Sequence, residues 1–79
     1  MPKTRRAPPS LRELRERRIL TQAELAERAG TTQPRIAMLE TGRVGRPHPS
    51  TLRKLAAALD LDPADVRAAF EVSRNEAVP

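Results

Sequence analysis

The segment Thr21–Gly42, TQAELAERAGTTQPRIAMLETG, constrains the fold more than any other part of the chain. Thr21 and Glu24 have the T-x-x-E spacing of a capping box, in which each side chain accepts from the other's backbone N–H at a helix start. Leu25, Ala26 and Ala29 follow on one helical face. Gly30 comes next, where a helix commonly ends in a left-handed residue. Thr32 then caps a second helix. Pro34 falls in its first turn, where a missing N–H breaks no intrahelical bond. Ile36 and Leu39 form the inner face of this second helix, and Gly42 ends it. Helices joined by so short a turn approach closely, and the small Ala26 permits that approach. Gln33, Arg35, Ala37 and Met38 are left toward solvent. A short exposed helix with a glutamine and an arginine near its start suits the major groove of DNA.

The flanking segments complete an all-α pattern of five helices. Ser10 and Glu13 form a second capping box, S-x-x-E, ahead of a first helix with Leu11 and Leu14 inward. That helix is unusually basic, with Arg12, Arg15, Arg17 and Arg18. Residues 41–49 hold two glycines and two prolines and read as a loop, with His48 an exposed residue in it. A fourth helix is predicted from Ser50 to about Leu59, with Leu52, Leu55, Ala56 and Leu59 inward. Asp62 caps a fifth helix that opens on Pro63 and turns Val66, Ala69 and Phe70 inward. Leu61, Phe70 and Val72 also suit a dimer interface. The resulting division is a basic arm over 1–9, a domain over 10–73 and a flexible tail over 74–79.

Charge is unevenly spread. The chain has 79 residues, no cysteine and a net charge of +5. Residues 1–18 carry a net +5 (seven basic, two acidic), residues 31–54 a net +4 (five basic, one acidic), and residues 60–79 a net −3 (two basic, five acidic). Basic charge clustered around the exposed helix and the loop after it is the footprint of a polyanion partner. A domain this small buries only about 60% of its unfolded surface, and association with a second copy would add stability. No apolar run approaches the roughly 20 residues of a membrane span, and no apolar stretch follows the basic N-terminus as in a secretory signal. The absence of cysteine suits a reducing, cytoplasmic setting. One histidine with no gathered ligands offers no metal site, and no nucleophile–base pair is visible, so no enzyme and no cofactor is expected.

From Leu20 to Gly42, and in the five-helix pattern around it, the chain resembles helix-turn-helix domains of the Cro/cI repressor type, the xenobiotic response element (XRE) family. It is similar to the lambdoid phage repressors that read operators through glutamines. The likeness covers residues 10 to 70. It implies that Arg15 pairs with Glu40 at the end of the recognition helix, as a structural bridge. It implies that Gln22 bonds a DNA phosphate at a helix N-terminus, and that the loop carrying Arg43 and Arg46 follows the DNA backbone. Two departures stand out. Many relatives have glycine where this chain has Ile19; a β-branched residue resists positive φ, so the first helix is expected to end differently or run further. Pro34 replaces a polar reader, leaving an apolar contact or none.

Gln33 is the expected base reader, since glutamine bonds adenine N6 and N7 together. Thr32 offers a methyl or a hydroxyl, and Arg35 suits a guanine or a phosphate. Met38 has two readings, contact with thymine methyls or filler of the core. Lys3, Arg5 and Arg6 belong either to a free tail or to an arm that reaches phosphates or a minor groove. The expected function is sequence-specific binding of double-stranded DNA by a homodimer on a palindromic operator, as a transcriptional repressor. The alternatives are an antitoxin or adaptor whose main partner is a protein, suited by the acidic C-terminal third, or a restriction–modification controller.

Overall fold

A computed structural model describes residues 9–42 and 47–77, with side chains as far as Glu71. Five helices are present and no strand among these residues: α1 (Leu11–Arg17), α2 (Gln22–Ala29), α3 (Gln33–Thr41), α4 (Pro49–Leu59) and α5 (Pro63–Ala77). α2 packs on α3 and α4, α4 packs on α5, and α1 closes against α3 and α5. The core is the set of inward positions set by helical periodicity: Leu11, Leu14, Leu25, Ile36, Leu39, Leu52, Leu55, Leu59 and Val66 are all buried. Phe70 and Leu61 lie partly buried against it. Both capping boxes form in full. Ser10 and Glu13 exchange bonds of 2.8 and 3.2 Å, and Thr21 and Glu24 bonds of 2.8 and 3.0 Å. Thr21 holds the Glu24 carboxyl below its ordinary pKa, chiefly because its backbone N–H donates to the charged carboxylate. α5 extends to Ala77, into the segment that the sequence set apart as a tail after residue 73.

Two expectations are corrected. Ile19 does take the left-handed conformation, at φ 57°. α1 closes through this left-handed residue: Ile19 N–H donates to Glu16 O at 3.0 Å and Leu20 N–H to Arg15 O at 3.3 Å. This is the 6→1, 5→2 pattern of a Schellman ending. It delivers Leu20 into the core while the Ile19 side chain is left 86% exposed. α2 ends in the same pattern through Gly30 and α4 through Asp60, both left-handed. The second correction concerns α4. It begins at Pro49, one residue before the predicted Ser50, because His48 is its cap. The His48 ring Nδ1 accepts from Ser50 N–H at 3.2 Å, and the His48 carbonyl accepts from Thr51 and Leu52 N–H. Proline at the first helical position needs no such partner.

A left-handed L-residue costs about 1–2 kcal/mol, and Ile19 recovers little of it by burial. Ile19→Gly is therefore expected to stabilise the domain by about 1 kcal/mol, after roughly 0.5–1 kcal/mol is returned to the freer unfolded chain. Thermal unfolding should show a midpoint raised by about 4–8 °C. A lowered midpoint would mean that the isoleucine side chain contributes more than its backbone costs.

Candidate nucleic-acid interface

The apolar attachment of α3 to the rest of the molecule is one narrow stripe. Ile36 and Leu39 are its only buried residues. Gln33, Pro34, Arg35, Met38 and Thr41 are exposed and Ala37 is half-exposed. The outward surface so formed is continuous along the helix. Met38 is 48% exposed, so it lies with the outward set and does not fill the core. Thr32 is the cap of α3: its Oγ1 accepts from Arg35 N–H at 3.4 Å. Its methyl group stays available at the exposed start of the helix. Gly42 ends α3 at φ 75°. Thr41 Oγ1 donates to Met38 O at 2.8 Å.

One flank of α3 is fixed by the bridge that the resemblance implied. Arg15 Nε and Nη2 donate to the two oxygens of Glu40, the latter at 3.2 Å, and Nη1 donates to Leu20 O at 2.7 Å. The side chains are 11% and 5% exposed. The bond to Glu40 raises the Arg15 pKa further above its already high value, against the opposing effect of burial. Gln22, at the first position of α2, donates from Nε2 to the same Glu40 at 3.0 Å. Glu40 thus ties α1, α2 and α3 together and orients the Gln22 amide. A shallow cleft beside these groups is lined by Arg12, Gln22, Ala37 and Thr41. Arg12 pairs at its rim with Glu16 at 3.0 Å.

The opposite flank faces α4. There Arg35 shares a cavity with Thr31, Thr51 and Lys54. Arg43 and Arg46, and Lys3, Arg5 and Arg6, lie outside the described residues. Sequence reasoning missed two cations with definite positions. Lys54 is one. The other is Arg18, which donates to Leu59 O at 2.8 Å and Asp60 O at 3.2 Å and so caps the C-terminus of α4. Cations favour that end of a helix, but the pairing spans more than forty residues and leaves no local signal. Among the described residues no group of His, Asp and Glu side chains could hold a metal, and no helix is long and apolar enough to cross a membrane.

Comparison with known proteins places this architecture. The model of the helix-turn-helix family HTH_3 matches residues 11–66. The chain is similar to two proteins of Bacillus subtilis (strain 168). It is 42% identical over 59 residues to the uncharacterized HTH-type transcriptional regulator RghRB, covering 75% of this chain and 42% of that one. It is 45% identical over 51 residues to the HTH-type transcriptional repressor RghR, covering 65% and 38% respectively. The chain thus spans about two fifths of the length of these relatives. No solved structure matches.

Proposed function

The chain belongs to the helix-turn-helix family, and from that premise we propose that it is a transcription regulator that binds double-stranded DNA sequence-specifically, with α3 in the major groove. The observation that carries this reading is the outward surface of α3. A helix anchored by Ile36, Leu39 and the bridged Glu40 presents Gln33, Pro34, Arg35, Met38 and Thr41 to a partner, and its diameter of about 10–12 Å matches a groove about 12 Å wide. Gln33 reads a base, and Pro34, Ala37 and Met38 offer apolar contact to thymine methyl groups. Gln22, oriented by Glu40, bonds a phosphate through the dipole-favoured start of α2, and Arg43 and Arg46 add backbone contacts just beyond α3. Repression is the role that the similar transcriptional repressor RghR carries in its name, and for this chain it follows if two copies bind a palindromic operator with half-sites about 34 Å apart.

Selection of bound duplexes from a random library tests this directly. A two-fold-symmetric motif is the expected result, with affinity falling as salt rises. No enriched motif, with only uniform salt-sensitive binding, would leave the nonspecific electrostatic contribution alone and turn attention to a protein partner. Within a selected motif, Gln33→Ala should relax preference at one base pair per half-site by about 1–3 kcal/mol of discrimination. An unchanged motif would remove Gln33 from the reading set.

A further inference from the structure

The cavity on the α4 flank of α3 has the composition of an anion site. It measures about 160 Å³ and is lined by Gly30, Thr31, Arg35, Leu39, Thr51 and Lys54, among others. It contributes two cations and two hydroxyls, and no carboxylate lines it. Among the described residues neither Arg35 nor Lys54 takes part in an ion pair. The position on α3 matters as much. At 100° per residue, Arg35 lies beside the buried Leu39 on the side of the helix that turns to α4, whereas Pro34, Met38 and Thr41 point away from the core. Arg35 is therefore set at the edge of the outward surface, away from its centre. The cleft with Arg12 and Gln22 occupies the other edge. A helix lying in a major groove has a phosphate backbone along each edge.

We infer that Arg35 and Lys54, with Thr31 and Thr51, clamp one backbone phosphate of DNA, so that Arg35 positions the helix and does not read a base. This rests on the DNA-binding reading. Gln22 and the Arg35–Lys54 clamp then hold α3 by opposite walls of the groove. Two cations converging on one phosphate give charge-assisted bonds without sequence information.

The test compares the full chain with R35A, K54A and the double variant R35A/K54A on the selected motif and on a scrambled duplex. Each single variant is expected to weaken both duplexes alike, by about tenfold, with the selected motif unchanged. The double variant should lower the salt slope by about 1. Both side chains are exposed, so thermal midpoints stay near that of the parent. A scan with single neutral methylphosphonates supplies the decisive reading. One backbone position per half-site should weaken the parent and have no effect on R35A/K54A. If every position that affects the parent still affects the double variant, the clamp is wrong. If R35A relaxes one base preference while K54A binds as the parent does, Arg35 is a base reader and the inference fails. A parent chain that binds no duplex overturns the DNA-binding reading together with the clamp. Titration with orthophosphate at constant ionic strength distinguishes a free anion from DNA. Saturable shifts of the Gly30 and Thr31 amides with orthophosphate, alongside unaltered DNA binding by R35A/K54A, would assign the cavity to a small anion and refute the DNA clamp.

Discussion

Arg15→Ala is expected to lower the thermal midpoint by roughly 12–24 °C, a loss of about 3 kcal/mol at 4–8 °C per kcal/mol. The reason lies in what is left behind. The Glu40 side chain is 5% exposed, and its two oxygens receive Arg15 Nε and Nη2. Without the guanidinium only the Gln22 amide, at 3.0 Å, remains on it. Removing one partner of a buried pair costs about 3–5 kcal/mol, chiefly through the uncompensated charge. The retained Gln22 bond places this case near the lower bound. The same substitution also removes the donor to Leu20 O, which helps hold the residue after the strained Ile19. Replacing both charges by apolar residues, as in Arg15→Met with Glu40→Leu, should recover more than half of the loss, because no charge is then stranded. A midpoint shift under about 4 °C for Arg15→Ala would show that water solvates the pair and that it contributes as a surface bridge does. The guanidinium itself plays no part in pH dependence near neutrality: its raised pKa keeps it charged until well beyond that range. Stability from that shift is present below the ordinary arginine pKa and is lost only as pH climbs through the raised one.

The parts of this fold that could be read from sequence are those whose cause is local. Both capping boxes, the left-handed Gly30 and Gly42, the Thr32 cap and the Asp62–Pro63 start of α5 are decided within four residues, and each forms as the spacing predicts. Ile19 shows where local reasoning fails. Its side chain argues against a positive φ, at a cost of about 1–2 kcal/mol. Against that stand the burial of Leu20, the two backbone bonds that close α1 and the Arg15 bond to Leu20 O. Several tertiary gains outweigh one strained residue. His48 was hidden differently, since histidine is a less frequent cap than serine and Ser50 offered the more familiar start. Of the interface, the outward residues of α3 follow from its period. The cavity shared by Arg35 and Lys54 does not, because it depends on how α4 crosses behind the turn between α2 and α3.

The docking of α3 itself yields the second large effect. Ile36→Ala is expected to cost about 3 kcal/mol in denaturant unfolding, within the 2–5 kcal/mol range of such core truncations. Ile36 is fully buried and, with Leu39, forms the whole inner stripe of the helix. Most globular helices spread their burial over a wider apolar face. α3 spends that surface on outward residues instead, so the loss of one anchor is not shared among neighbours. Met38→Ala on the same helix, with about half of the residue in solvent, should change stability by less than about 1 kcal/mol. The contrast between the two separates packing from helix propensity, because both replace a larger residue by alanine in one short helix. A domain of this size has a total stability on the order of 4–12 kcal/mol. Starting from about 5 kcal/mol, a loss of 3 leaves only about 3% of molecules unfolded at 25 °C. That fraction is too small to lower DNA affinity measurably by itself. If the DNA-binding reading holds, a marked fall in affinity for Ile36→Ala at this temperature would therefore report a shifted α3 within folded molecules. A stability change under 1 kcal/mol would mean that Leu39 and the Glu40 bridge suffice to seat the helix, and that the narrow stripe is not its main attachment.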